Sequence, residues 1–457
     1  MRTGIRRAAL AGVAALATIS AGAAGALDIP ATKAAIDQGL DRQYPHLDAL
    51  YKDIHKHPEL GFLEVRTAKT LAAEMRALGF EVTEGVGKTG LVAIYHNGPG
   101  PTVMVRTELD ALPLPEKTGL PYASTATQLW KGVETPVAHA CGHDIHMAVW
   151  VGTAKTLVDL KARWSGTLMF IAQPAEELAS GAKAMVDDGL FTRFRKPDYG
   201  FALHVGTDPV GDVAYRSGVM SSNSDELDVL FTGRGGHGAK PHITIDPVMM
   251  AGRFIVDVQS VISREKDPSA FGVITIGSVQ AGNAGNVIPD TALLRGTIRS
   301  FDPEVRTKLL DGISRTARAE AMMAGAPEPK VTFGAGGKAV VNDAALSDRS
   351  IGVLKAAFGA KAEAMEQPNF ASEDYSEYII AGVPSFFFRL GGIDPGVLAK
   401  AEAAHTSVPG NHSPYFAPVP EPAIRTGVEA MSLLVMSTLQ PAASGQVGVV
   451  AAQRSGE

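Results

Sequence analysis

Apolar and polar positions follow two periods along this chain, and the period switches many times. Residues 67–78 (Thr-Ala-Lys-Thr-Leu-Ala-Ala-Glu-Met-Arg-Ala-Leu) place apolar side chains three to four apart and run into Gly79, which predicts an amphipathic helix with a glycine stop. Helices are also expected over 31–57 and 147–160. Between them, 102–109, 167–172 and 198–205 are short, apolar, β-favouring runs that read as buried strands. This alternation predicts an α/β fold with a mostly parallel sheet covered by helices.

From about residue 211 the pattern changes. Strands at 226–232, 272–280 and 293–299, with helices over 246–264 and 303–324, describe a self-contained α+β unit. Afterwards a helix over 344–358, a strand at 384–389 and a helix over 423–438 resume the earlier character. The expected organisation is one larger domain in two parts, 27–212 and 331–440, interrupted by a smaller insert at 213–330. Residues 441–457 are rich in Ala, Gly, Ser and Gln with no period, and are expected to form a disordered tail.

The start of the chain changes the picture. Arg2, Arg6 and Arg7 precede a small-apolar run at 8–17 and the small-residue site Ala24-Gly25-Ala26, the pattern of a secretory signal over 1–26. The protein is thus expected to be exported, periplasmic or secreted. That run is shorter than the ~20 residues of a spanning helix, so no membrane is expected for the mature chain. Removing 1–26 takes away three arginines and no acid, leaving 39 basic against 48 acidic residues, a net of −9. This balance disfavours nucleic acid as a partner.

The segment His139-Ala-Cys-Gly-His-Asp-Ile-His146 packs the sole cysteine and three of the twelve histidines into one stretch. In an exported protein a lone cysteine has no partner for an internal disulfide, and a thiol among imidazoles suits a borderline divalent metal. A second signal is Gln173-Pro-Ala-Glu-Glu177, two adjacent carboxylates after an apolar run. Glu108, Asp110, Glu176, Glu177 and His204 all fall at or just past the C-terminal ends of predicted strands, the edge where open α/β sheets build sites. Cys141, His143, Glu177, His204 and His412 can supply thiolate, imidazole and carboxylate donors. Five donors exceed the needs of one tetrahedral ion, so two ions sharing a bridging thiolate or water is the economical reading. One acid of the pair can ligate while its neighbour, Glu176, stays free as the base.

Nine segments in register carry a family resemblance. They are Arg106-Thr-Glu-Leu-Asp-Ala-Leu-Pro113, His139 to Ala148, Gln173 to Glu177, Leu203-His-Val205, Gly233-Arg-Gly-Gly-His-Gly-Ala-Lys-Pro-His242, Asn286-Val-Ile-Pro-Asp290, Gly296-Thr-Ile-Arg-Ser300, Ala371-Ser-Glu-Asp-Tyr375 and His412-Ser-Pro414. In these the chain resembles the M20 metallopeptidase and amidohydrolase superfamily, within it the aminoacylase, hippurate hydrolase and auxin-conjugate hydrolase branch. The resemblance implies a zinc-peptidase-like domain interrupted by a lid or dimerisation domain, and two divalent ions (Zn, Mn, Co or Ni). It gives ligand roles to Cys141, His143, Glu177, His204 and His412, and the base role to Glu176. It implies that His237 polarises the scissile carbonyl, often across a dimer, and that Asn286 and Arg299 hold the substrate's carboxylate. Asp110 and His146 are expected to orient the ligands.

The chain departs from the family where Glu108 replaces an aspartate and Ile145 a glycine, and both changes are expected to bear on acyl-side specificity. The activity so implied is hydrolysis of N-acyl amino acids or similar small conjugates, by a homodimer or higher homo-oligomer. An exported di- or carboxypeptidase acting on small peptides is the alternative, and an inactive peptide- or amino-acid-binding protein a remote one.

Overall fold

The computed structural model describes residues 27–334 and 336–439; the expected signal at 1–26 and the expected tail at 441–457 lie outside them. Eight strands form the main sheet, in the order Glu81–Val86, Gly90–Asn97, Gly166–Gln173, Thr102–Glu108, Tyr199–Pro209, Ser385–Ile393, Val213–Tyr215, Ala362–Ala364. The four central strands, Gly166–Gln173 to Ser385–Ile393, are mutually parallel. Antiparallel pairing occurs at Gly90–Asn97 and Glu81–Val86 on one side and at Val213–Tyr215 on the other. The central strands are buried along nearly their whole length because helices cover both faces, which is why they read as apolar runs and not as alternation.

One face packs against the helices Ile29–Lys56, Val65–Ala77, His143–Asp159, Ala344–Phe358 and Pro420–Thr438, with Trp150, Phe170, Phe201 and Phe388 at the centre. The other carries the shorter helices Gly181–Asp187, Leu190–Arg193 and Ser376–Ile380, packed on Met104, Met169, Ala202 and Phe387. Among the described residues no helix is long and apolar enough to cross a membrane.

The smaller unit has its own sheet, antiparallel, in the order Gly272–Gln280, Thr291–Ser300, Asn223–Thr232, Lys330–Gly334. Helices Pro247–Asp257 and Pro303–Ala324 bury Phe254, Leu309 and Ile313 against Phe231, Leu294 and Ile298 of that sheet. Asp246 and Asp302 cap the helices, each accepting two backbone N–H groups of the first turn. Two expected boundaries shift. Val213–Tyr215 pairs with the large sheet, and Lys330–Gly334 extends the small one. Strands so short carry too little apolar pattern to assign to either sheet. The helix expected over 246–264 is α-helical only to Asp257 and ends in a π-helical turn at Val261–Glu265.

Candidate metal centre and cavity

The polar groups gather at the C-terminal edge of the parallel strands. Thr102–Glu108 ends in Glu108, and Asp110, fully buried, follows it. The helix expected from residue 147 begins at His143, which puts His143 and His146 in its first turn. Gly142 makes that start possible: its φ is +86°, and a Cβ there would lie 2.3 Å from Val205 Cγ1. His204 sits inside its strand and not at its end, because Tyr199–Pro209 runs on past the site.

Backbone and acid contacts settle which ring nitrogens face the cavity. His143 Nδ1 donates to the Asp110 carbonyl at 2.8 Å, and His204 Nδ1 to the Val205 carbonyl at 2.8 Å. Their Nε2 lone pairs are thereby left for the site. Cys141 Sγ is 3.4 Å from His204 Nε2 and 3.4 Å from His412 Nε2, and His412 Nε2 is 3.2 Å from Glu177 Oε2. His146 differs. Its Nδ1 donates to Glu108 at 2.9 Å and its Nε2 accepts from Val205 N at 2.8 Å, so both nitrogens are occupied and it acts as a brace. Asp110 braces too, accepting the Glu177 N–H at 2.9 Å.

Beneath these lies a fully buried charge cluster in which sequence reading gave only Glu108 a role. Arg106 pairs with Glu108, with Glu373 at 2.8 Å and with Asp374 at 3.3 Å, and its Nε donates to Gln173 at 2.9 Å. The motif Ala371 to Tyr375 belonged to the family resemblance, but only folding shows that its two acids converge on Glu176. Burial, then Glu373 and the neighbouring Glu177, pushes the Glu176 carboxyl well above the usual range. Burial would raise Glu177 as well, yet the hydrogen bond from His412 and the charge of His143 hold it below the ordinary carboxylate value. Burial and the adjacent Glu177 and Glu176 push the Cys141 thiol well up. A thiol among acids becomes a thiolate when cations join it.

The donor set fits metal. Cys141, His143 and His204 form one group whose ligand atoms lie within 4.8 Å of one another, and Cys141, Glu177 and His412 form a second, so Sγ is common to both. His143 Nε2, Glu177 Oε1 and Asp110 Oδ1 are buried without a hydrogen-bond partner. Buried polar atoms of this kind are costly unless something coordinates them.

The groups open into a cavity of about 560 Å³ lined by Cys141, Glu176, His204, Arg299, Asp374 and Arg389, among others. Arg299 is half-buried there. Arg389, which the sequence reading missed, pairs with Asp208 at 2.7 Å and lies in register with His204 on the next strand. A larger cavity of about 1070 Å³ by Pro101, Tyr199 and Leu439 lies at the opposite end of the strands, away from these donors. His237 and Asn286 do not line the catalytic-side cavity. Both are exposed on the insert, where Gly236–His237 pairs with Val287–Ile288. Ile145 and Glu108 do not line it either. Ile145 is packed in the main core, and Glu108 is engaged by Arg106 and His146.

Comparison with known proteins adds to this geometry. Residues 104–437 match the model of peptidase family M20/M25/M40. The hippurate hydrolase of Campylobacter jejuni is 38% identical over 327 residues, covering 70% of this chain and 82% of that protein. Thermostable carboxypeptidase 1 of Saccharolobus solfataricus is 34% identical over 390 residues, covering 84% and 93%. Among solved structures, the Bacillus subtilis YXEP protein, described as a dinuclear metal binding peptidase, superimposes with a TM-score of 0.70 at 28% identity, covering 87% of this chain and 98% of that one.

Proposed function

Since the chain belongs to peptidase family M20/M25/M40, we propose that this amide hydrolase cleaves N-acyl amino acids to a free amino acid and a carboxylic acid. The observation that carries this reading is a pair of donor groups sharing Cys141 Sγ, with Glu176 beside them in one cavity. Cys141, His143 and His204 would hold one divalent ion, and Cys141, Glu177 and His412 the other. When bound, the ions supply Lewis-acid polarisation and make water a better nucleophile near neutral pH. Glu176 takes the proton of the attacking water as its oxygen bonds to the carbonyl carbon. It then delivers that proton to the amide nitrogen as the C–N bond breaks. Glu176 suits this role because its nearest ring nitrogen, His143 Nε2, is 3.8 Å away, while Glu177 is engaged by His412 at 3.2 Å. Arg299 is the cation in the cavity without an ion pair among the described residues, and its planar fork suits the substrate's carboxylate.

The insert supports a homodimer. His237 lies outside its own chain's cavity, and Val248, Met249 and Val256 of the helix Pro247–Asp257 are exposed, an apolar face suited to a second copy. In that arrangement His237 and Asn286 serve the partner's cavity. The basic and small-apolar pattern of residues 1–26 supports export.

The test is a panel of hippurate, N-acetyl amino acids and dipeptides, assayed with the full chain loaded with Zn²⁺, Mn²⁺ or Co²⁺. The expected result is fastest turnover of an N-acyl amino acid; faster cleavage of dipeptides would move the reading to a peptidase, in line with the carboxypeptidase relative. Glu176→Gln is expected to keep its metal and lose at least ~10²-fold in kcat, whereas Glu177→Gln is expected to lose metal.

A further inference from the structure

Glu64 is fully buried, belongs to neither donor group, and makes no ion pair with a basic side chain among the described residues. Its backbone starts the helix Val65–Ala77, but its side chain turns inward and does not cap that helix. One carboxylate oxygen accepts the Ala175 N–H at 2.8 Å, and the other accepts the Thr89 hydroxyl at 2.5 Å. A buried carboxylate without a cation is unfavourable unless its acceptor capacity is needed.

The residue it holds is strained. Ala175 has φ +48°, the left-handed region that a side chain with a Cβ disfavours, and it directly precedes Glu176. Gly61 closes the other side, since a Cβ there would lie 3.1 Å from both Ala175 Cα and Cβ. The same turn is tied further along by Asp110 on Glu177 N and by Asp374 on Ala182 N, each at 2.9 Å. Three buried carboxylates thus suspend the segment from Gln173 to Ala182 by its backbone, and Glu64 holds its one left-handed residue before the two acids.

We propose that Glu64 is a positioning residue for the hydrolysis. By accepting the Ala175 N–H it keeps Ala175 left-handed, which aims Glu176 towards Glu373 and Asp374 while its neighbour Glu177 reaches Cys141 and His412. The inference rests on Glu176 as the base. What matters is the acceptor at the Ala175 N–H, not the charge of the carboxylate.

Three variants separate these readings, with kcat, KM and metal content measured on the amide that the wild-type protein turns over fastest. Glu64→Met keeps the volume without an acceptor, and is expected to lower kcat at least tenfold while KM stays within threefold and two ions remain. Glu64→Gln keeps a carbonyl for Ala175 N and is expected to stay within threefold of wild type. Adding Ala175→Gly to Glu64→Met lets the turn adopt positive φ without a clamp and is expected to recover at least threefold in kcat. An unaltered kcat in Glu64→Met, equal losses in Met and Gln, loss of metal, or no recovery with Ala175→Gly would each overturn the proposal. Failure of the wild-type protein on every N-acyl amino acid would instead count against the proposed function, and the variants would still be read on the dipeptide it cleaves.

Discussion

His55 lies between two carboxylates, its Nδ1 2.6 Å from Asp144 and its Nε2 3.1 Å from Glu116, and does not line the cavity. Burial alone would lower its pKa, but the hydrogen bonds to Asp144 and Glu116 outweigh it and push the ring up to about 10. A folded pKa above the unfolded value of about 6.5 means that the imidazolium stabilises the fold. That contribution is complete below pH ~6.5 and fades as pH rises towards 10. The rings packed on it, Tyr51 and Tyr122, are both raised above the usual tyrosine value by burial, so they stay neutral across this window. His139, also near Asp144, is lowered by burial to about 4 and is neutral there as well. The thermal midpoint is therefore expected to fall between pH 7 and 10. His55→Gln is expected to lose about 3–5 kcal/mol at pH 6, the scale for breaking a buried pair, and to show a flatter profile above it. Equal pH slopes in the two proteins would remove His55 as the cause. At this scale the donors were legible in the sequence because Cys141, His143 and Glu177 sit in dense local motifs. Glu64, Arg106, Arg389 and His55 were not assigned roles, because an isolated charged residue looks the same in sequence whether it is solvated or buried.

Among the elements, the helix His143–Asp159 shows how a short segment controls the site. It is buried nearly all round, so its apolar pattern revealed the body of the helix while its polar first turn read as loop. The start depends on Gly142, and Gly142→Ala would combine positive φ with a Cβ 2.3 Å from Val205 Cγ1. Since Gly142 separates Cys141 from His143, relief of that clash displaces one donor or the other. Gly142→Ala is expected to keep its helical circular dichroism but to weaken metal retention at least tenfold on dialysis against limiting Zn²⁺; full metal occupancy under those conditions would refute this. The long central strands and the helices Pro303–Ala324 and Ala344–Phe358 matched their apolar patterns. The edge strands Glu81–Val86 and Ala362–Ala364 did not, since they are short and half-exposed and their pairing comes from neighbours far along the chain.

At the scale of the whole molecule, the insert presents polar groups in two places. Arg299 reaches the cavity from the insert's sheet, while His237 lies in, and Asn286 just before, a separate two-stranded ladder of the same unit. If the insert pairs with that of a second chain, mixing His237→Ala with Glu176→Gln protein is expected to restore activity, since mixed dimers then hold one site with both residues intact. His237→Ala alone is expected to lower kcat roughly 10²-fold, the scale for losing one oxyanion donor, with metal content unaltered. Mixtures no more active than either parent would place the histidine's action within its own chain or outside the reaction.

The sequence by itself determined the α/β character, the interruption by an α+β unit, and the residue types able to bind metal. Each of these depends on local periodicity or on donors clustered within a few positions. The tertiary structure decided the rest. The strands and the loops that join them brought His204 and His412 to Cys141 across 63 and 271 positions. They also brought Glu373 and Asp374 beneath Glu176, and left His237 outside its own cavity. Such convergence depends on which strands become neighbours, and that is fixed by packing over the whole core, not by the pattern of any one segment.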